Sequence, residues 1–403
     1  MIISNVIVCD SRGEKNVDVR VENGLISEVG SNLEGDSVLD GKGAYLLPGL
    51  VDTNVRLQDA QLNAKSLEKL SKKALKGGVT RAILAPDSTP AIDNEIVLEF
   101  LELQHNKGAK IQPCIATTIE DEVLSNIAIL LKRGAVAPYM STVISNNLAC
   151  RIAEYVKMYD VTLFCRCKDK SLSEIGVMNE GNMATKLGLV GIAPLGEMVH
   201  VARMIEIARH FGIKILFKSV SNPQSIALIT KAKQEGVKVS CEVSIHHLCV
   251  DDTACDDFNT TAKIDPPLMD KSDVKAFIKA LKNSEIDILT SMHQPNSPVN
   301  KEVAFFDASF GCECIEDIMS LYYTKLVKPG IVTMSTLIKL CVENPALSLK
   351  KTHRRMEVGQ KADLILFDVN TSYVVDNPQS LYHGETLSGK VQSAFVDGVI
   401  IAF

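Results

Sequence analysis

Three groups of residues in this chain have types and spacings that could do chemistry. The first closes an apolar run. Ala44-Tyr45-Leu46-Leu47 leads through a Pro48-Gly49 break into Leu50-Val51-Asp52-Thr53-Asn54-Val55-Arg56-Leu57-Gln58. An apolar run that ends in polar side chains reads as a buried strand delivering those side chains to a mouth. The second group is a pair of C-x-C motifs, Cys165/Cys167 and Cys312/Cys314, among 11 scattered cysteines. Paired thiols invite a zinc reading. However, the first pair ends an expected buried strand and neither pair has histidine support, so both read as reduced thiols of a cytoplasmic chain. The third group is histidine. His246-His247 resembles a chelating pair, yet neighbours on a strand point to opposite faces, so packing is the expected role. His293 is a lone base with no partner acid in sequence. The basic run Lys350-Lys351-Thr352-His353-Arg354-Arg355 reads as a solvated loop.

The elements that must position these groups follow from composition and periodicity. At 403 residues the chain can bury one large core and a small second one. A hydrophobic content of 46% and a charged content of 23% suit a soluble globular protein, and a net charge of −6 argues against a nucleic-acid partner. No apolar run approaches the ~20 residues of a membrane span. Met1-Ile2-Ile3-Ser4-Asn5 opens like a strand rather than a signal peptide. The first 48 residues read as β-structure, with an alternating run at 16–21 and an Asn23-Gly24 hairpin turn. The C-terminal end offers a strand at 362–367 and an Asp397-Gly398 hairpin. Neither β region is large enough to stand alone, so the two are expected to pair.

Between them, strand-like and helix-like segments alternate. Strands are expected at 44–51, 81–85, 111–116, 135–137, 161–165, 214–217, 238–243 and 287–290. Helices are expected at 66–76, 95–105, 123–133, 148–158, 197–210, 225–235 and 273–281, with two more at 315–323 and 334–341. Lys76-Gly77-Gly78 and Glu235-Gly236 supply helix stops. Alternating units of this size give a parallel sheet with right-handed crossovers. Eight strands suit a (β/α)8 barrel, although periodicity alone also fits an open doubly wound sheet.

Ordered along this frame, the motifs resemble those of the dihydroorotases of the amidohydrolase superfamily. The matching segments are Gly176-Val177-Met178-Asn179-Glu180-Gly181, Leu187-Gly188-Leu189-Val190-Gly191-Ile192, Glu242-Val243-Ser244-Ile245-His246-His247-Leu248, Asp265-Pro266-Pro267-Leu268 and Glu357-Val358-Gly359-Gln360-Lys361-Ala362-Asp363-Leu364. The resemblance covers nearly the whole chain. It implies a TIM-like barrel over 49–347, a small β-sandwich from 1–48 and 348–403, and zinc at the barrel mouth.

The family's functional residues do not carry over. The family's first strand presents P-G-x-x-D-x-H-x-H followed by Leu-Arg. Here the two ligand histidines are Asn54 and Arg56, and the arginine is Gln58. Asp87 stands for the substrate-binding asparagine after strand two. Met140 opens the segment where a bridging carboxylate is expected. Arg166 and Ser219 replace ligand histidines, Asn179 stands where the family has His, and Met292 replaces the Asp that is both ligand and general base, beside a surviving His293.

A catalytic zinc needs about three protein ligands and an open position. A guanidinium ~4 Å from Zn²⁺ at an effective dielectric of about 20 would repel it by roughly 8 kcal/mol. The expectation is therefore no metal, no cofactor and no catalytic residue. Arg56, Gln58, Asp87, Arg166 and His293 remain as candidates for ligand binding. Arg56, Arg166 and Lys218 can be read as an anion pocket; alternatively, an arginine fills the vacated metal space and pairs with Asp87 or Glu242. The resemblance is nearest to noncatalytic dihydroorotase-like chains that assemble with aspartate carbamoyltransferase in pyrimidine biosynthesis. That partner, or a homo-oligomer, is expected here. A divergent cyclic-amide hydrolase and a metal-free anion sensor are the alternatives.

Overall fold

The computed structural model describes residues 1–104, 108–173, 175–350 and 354–403. The last residue of the helix expected at 95–105 and positions 351–353 of the basic run lie outside the described residues.

The two ends of the chain build two sheets. One holds four strands in the order Leu25–Gly30, Asp18–Glu22, Ile2–Ser4, Val38–Asp40. The other runs Val399–Ala402, Thr386–Val396, Leu364–Val374, Tyr45–Pro48, Ile7–Asp10, Gly13–Asn16. Asn23 and Gly24 take the positive φ values, 50° and 78°, that a tight hairpin needs. The sheets share a core of Ile3, Val8, Val19, Val21, Leu46, Leu364, Leu366 and Phe395, so residues from both termini bury one apolar interior.

This topology corrects the first expected strand. Residues 44–51 are not one strand. Tyr45–Pro48 pairs with Ile7 and Val8 on one side and with Leu364 to Phe367 on the other. The parallel sheet begins only at Leu50–Val55. Pro48 lacks an amide donor, and an added Cβ at Gly49 would sit 2.2 Å from the Thr80 side chain, so the break marks a close crossing between layers.

The middle of the chain alternates strands and helices, with the strands parallel. Leu50–Val55, Val79–Leu84 and Lys110–Pro113 form one run. Ile115–Ala116, Pro138–Met140, Thr162–Cys165, Lys214–Phe217, Val239–Ser244 and Ile288–Thr290 form the next. Beyond the last strand, Val55 and His293 make a parallel bridge back to the first.

Apart from Lys110–Pro113, which is half-buried throughout, these strands are buried on both faces, as is usual in a parallel sheet. Val51, Ile83, Phe164, Leu216 and Ile288 share an inner cluster. Val55, Leu84, Leu163, Ile215 and Val243 face the cluster that includes the helices' apolar residues. The helix Ala64–Lys76 starts on Asn63, whose side chain accepts from Ser66 N. Pro223–Gln234 starts on Asn222 with proline in its first turn, and Lys271–Lys282 starts on Asp270.

Two further expectations fail locally. Over 123–133, Val123–Leu124 is a strand paired with Thr118–Ile119 across Glu120 and Asp121, both at positive φ. The helix begins only at Ile127–Lys132. The strand expected at 135–137 is displaced to Pro138–Met140. Among the described residues, no helix is long and apolar enough to cross a membrane.

Candidate functional site

At the carboxyl ends of the parallel strands, the structure gathers charged side chains into pairs. Lys218 follows Lys214–Phe217, and Glu242 lies on Val239–Ser244. Their side chains form a salt bridge with no solvent exposure. Lys218 Nζ also donates to Thr53 O at 2.8 Å and sits 4.7 Å above the Phe164 ring. Burial pushes the Lys218 ammonium below its ordinary range, while Glu242 pulls the other way. Glu242 in turn accepts from Thr53 Oγ1, and from Asn54 Nδ2 at 2.9 Å. Asn54 Nδ2 also reaches Ser219 Oγ at 2.6 Å.

Asn54 links this buried pair to the next. Its Oδ1 accepts from Arg56 Nη1 at 2.9 Å, and Arg56 Nε and Nη2 both lie 2.9 Å from Asp87 Oδ2. Burial opposes the Arg56 charge, but Asp87 beside it holds the guanidinium above its usual range. In the same cleft, Asp265 meets Arg166 at 2.5 Å and Lys168 at 2.6 Å. Burial would raise the Asp265 carboxyl, yet the two cations hold it well below the usual carboxylate range.

The other expected positions are scattered. Met140 is buried in the main core. Met292 packs with Val177, Met178, Ile264, Leu268 and Phe305. Asn179 lines a narrow cavity of about 60 Å³ with Arg166, Lys218 and Ser219, and its buried Oδ1 has no hydrogen-bond partner. Gln58 lies outside the network and accepts from Lys69 Nζ at 2.5 Å. His293 is buried, with Nδ1 accepting from the Cys314 and Ile315 amides at 3.3 and 3.4 Å. Burial, with Lys73 and Lys69 nearby, pushes it down to about 3. Of the five ligand-binding candidates, Arg56, Asp87 and Arg166 share a cleft of about 450 Å³ with Lys168, Asp265 and Asn296. Gln58 and His293 are not among its lining residues.

Ser219 and Met292 keep left-handed backbone, with φ of 49° and 50°. Each costs roughly 1–2 kcal/mol for a residue with a Cβ, and such outliers gather at functional sites. At the positions aligned with the family's ligands, Asn54, Arg56, Met140, Arg166, Asn179, Ser219 and Met292, the side chains are amide, hydroxyl, thioether and guanidinium. This set does not fit a zinc ion, which takes thiolate, imidazole and carboxylate ligands. The carboxylates nearby, Glu242, Asp87 and Asp265, are each already paired with a cation.

Besides the pairing of Lys218 with Glu242, two features escaped the sequence reading. Asp265 as the partner of Arg166 and Lys168 lies nearly 100 residues from both. The second is a correction: Cys312 and Cys314 do have histidine support. His246 Nε2 lies 3.2 Å from Cys312 Sγ and 3.6 Å from Cys314 Sγ. His246 and His247 sit on the short helix Ile245–Cys249 rather than on a strand. His247 is a packing residue, bonded to Ser244 Oγ at 2.7 Å and Pro267 O at 3.1 Å.

Comparisons with known proteins agree with this architecture. The family described as Dihydro-orotase-like matches residues 43–222. A dihydroorotase of Acetivibrio thermocellus is 36% identical over 100% of this chain and 98% of its own length. One from Caldanaerobacter subterraneus is 35% identical over 99% of this chain and 96% of its own length. Among solved structures, an L-hydantoinase (dihydropyrimidinase) from Arthrobacter aurescens superposes with a TM-score of 0.89 at 20% identity. The match covers all of this chain and 95% of that one. A dihydropyrimidinase from Brevibacillus agri gives 0.86 at 19% identity, over all of this chain and 94% of its own. At that identity the structural likeness speaks to fold alone. With full-length dihydroorotase relatives at 35–36% identity, the chain belongs to the dihydroorotase family.

Proposed function

We propose that this chain does not hydrolyse dihydroorotate and acts as a structural partner of aspartate carbamoyltransferase in pyrimidine biosynthesis. The observation that carries the first half is the buried network of Lys218, Glu242, Asn54, Arg56 and Asp87. It fills the strand ends where the family's metal and activated water belong. Without a bound metal, water keeps a pKa near 15.7 rather than about 7, and Met292 offers no group to take its proton. We read the parallel strands as a (β/α)8 barrel, with this network at its carboxyl face. The second half rests on the resemblance to noncatalytic chains of the family, and on a scaffold that persists around a filled centre.

The test is twofold. The purified chain, with and without added Zn²⁺, is assayed on dihydroorotate, and zinc-dependent turnover would make it a divergent hydrolase instead. The chain is then mixed with aspartate carbamoyltransferase from the same organism. Co-migration as a larger complex is expected, and separate elution overturns the scaffold role.

One observation favours a second reading. Arg166 and Lys168 share the single carboxylate of Asp265 on one wall of the cleft. This is a local excess of one positive charge for a small anion to meet, even though Asp59 and Asp87 balance the cleft as a whole. Dihydroorotate or carbamoyl aspartate would then raise the melting temperature, and Arg166→Ala would abolish that shift. No shift in the unmodified chain removes the sensor reading.

A further inference from the structure

The Cys312, Cys314 and His246 side chains form a cluster apart from the charged network. Their ligand atoms lie within 4.8 Å of one another, and the residues are 2%, 1% and 0% exposed. Among the described residues, no other group of three His, Cys, Asp or Glu side chains converges in this way.

Each part of the cluster is held in place. The C-x-C spacing turns Glu313 the other way, where it pairs with Lys73, so both sulfurs face His246. The imidazole is fixed from behind: its Nδ1 lies 3.0 Å from Tyr382 Oη, and the two rings stack at 5.7 Å between centroids. That contact leaves Nε2 directed at the sulfurs. Outer contacts of this kind orient metal-binding histidines. The backbone carrying Cys314 is pinned as well, since its amide donates to His293 Nδ1.

The nitrogen-to-sulfur separations approach those around a metal. A tetrahedral ion with bonds of about 2.3 Å to sulfur and 2.0–2.1 Å to nitrogen sets S···N at about 3.6 Å. The observed separations are 3.2 and 3.6 Å. We propose that Cys312, Cys314 and His246 bind one thiophilic d¹⁰ cation, Zn²⁺ or Cu⁺, as a structural site distinct from the family's position at the strand ends.

Two thiolates and a neutral imidazole carry two negative charges. Zn²⁺ therefore gives a neutral buried cluster, with two protons released on binding. Cu⁺ leaves one negative charge on the cluster. Three chain ligands complete a trigonal Cu⁺ site and leave Zn²⁺ one position short, so titration separates the two. The bound ion would tie the helix Ile245–Cys249, the 312–314 segment and, through Tyr382, the C-terminal region into one unit.

The full chain, reduced and freed of metal, is titrated with Zn²⁺, with Cu⁺ under anaerobic conditions, and with Co²⁺ as a spectroscopic stand-in for zinc. The expected result is one equivalent bound, with a thiolate-to-cobalt charge-transfer band for Co²⁺. Cys312→Ser/Cys314→Ser should lose it and Cys165→Ser/Cys167→Ser should keep it. Less than about a tenth of an equivalent of every ion in the unmodified chain overturns the proposal, and this arm needs no variant to fold. Binding that survives Cys312→Ser/Cys314→Ser also overturns it, and points instead to metal at the strand ends. That outcome would count against the noncatalytic reading above, so the two failures are distinguishable.

Discussion

A fully buried lysine is tolerable only while its counter-charge is in place. Glu242→Gln leaves the Lys218 ammonium buried without a carboxylate, and breaking such a pair costs about 3–5 kcal/mol. The double variant Lys218→Met/Glu242→Gln should recover most of that loss, as read from urea midpoints of the two. Asp265 makes a parallel prediction with pH. Its folded-state pKa lies below the ordinary 3.8, so the stability it contributes is complete above that value. It is lost as the pH falls from about 3.8 through the lower folded-state value. Asp265→Asn should flatten this acid limb of the stability curve. The residue types were legible in the sequence, including an arginine filling the centre with Asp87 or Glu242 as its partner, of which the structure pairs Arg56 with Asp87. The pairings of Lys218 with Glu242 and of Arg166 with Asp265 were not, because charge carries no address along the chain. The same holds for His246 with Cys312 and Cys314, which are 66 and 68 residues away and meet it only because the short helix Ile245–Cys249 and a late loop converge.

Elements were read best where local signals agreed with the packing. Ala64–Lys76, Leu195–Phe211, Pro223–Gln234 and Lys271–Lys282 fall within a few residues of their expected places, each with an amphipathic pattern and a stop. The failures occur where a tertiary partner overrides the local pattern. Tyr45–Pro48 continues the apolar run of the next strand but is claimed by the sheet from the termini. Gly77-Gly78 was read as a helix stop, and only half of that is conformational. Gly78 takes φ +82°, whereas Gly77 is needed for space, since an added Cβ would lie 1.8 Å from Ile315 O. Gly77→Ala should therefore destabilise by about 2 kcal/mol or more through overpacking. Thermal melts would detect this as a lowered midpoint, and an unchanged midpoint would mean that the 315–317 turn yields at little cost.

At the scale of the whole molecule, the parallel layer and the sheets from the termini are fastened by charge as well as by apolar contact. Lys110, on a parallel strand, reaches Asp397 at 2.6 Å and Asp363 at 3.4 Å, and Arg354 reaches Asp363 at 2.5 Å. The mixed α/β class and the meeting of the two termini were legible because alternation and hairpin turns are local signals. The order of strands within the joint sheet was not, since it depends on pairings across the whole chain. That order has a consequence during synthesis. Tyr45–Pro48 lies between Ile7–Asp10 and Leu364–Val374, so one of its edges waits for a neighbour that leaves the ribosome roughly 300 residues later. At about 5–20 residues per second, the nascent chain carries an open strand edge bearing Leu46 and Leu47 for on the order of half a minute. Nascent chains stalled before residue 364 should therefore bind chaperones that capture extended apolar segments, and release them once the last hairpin has been made.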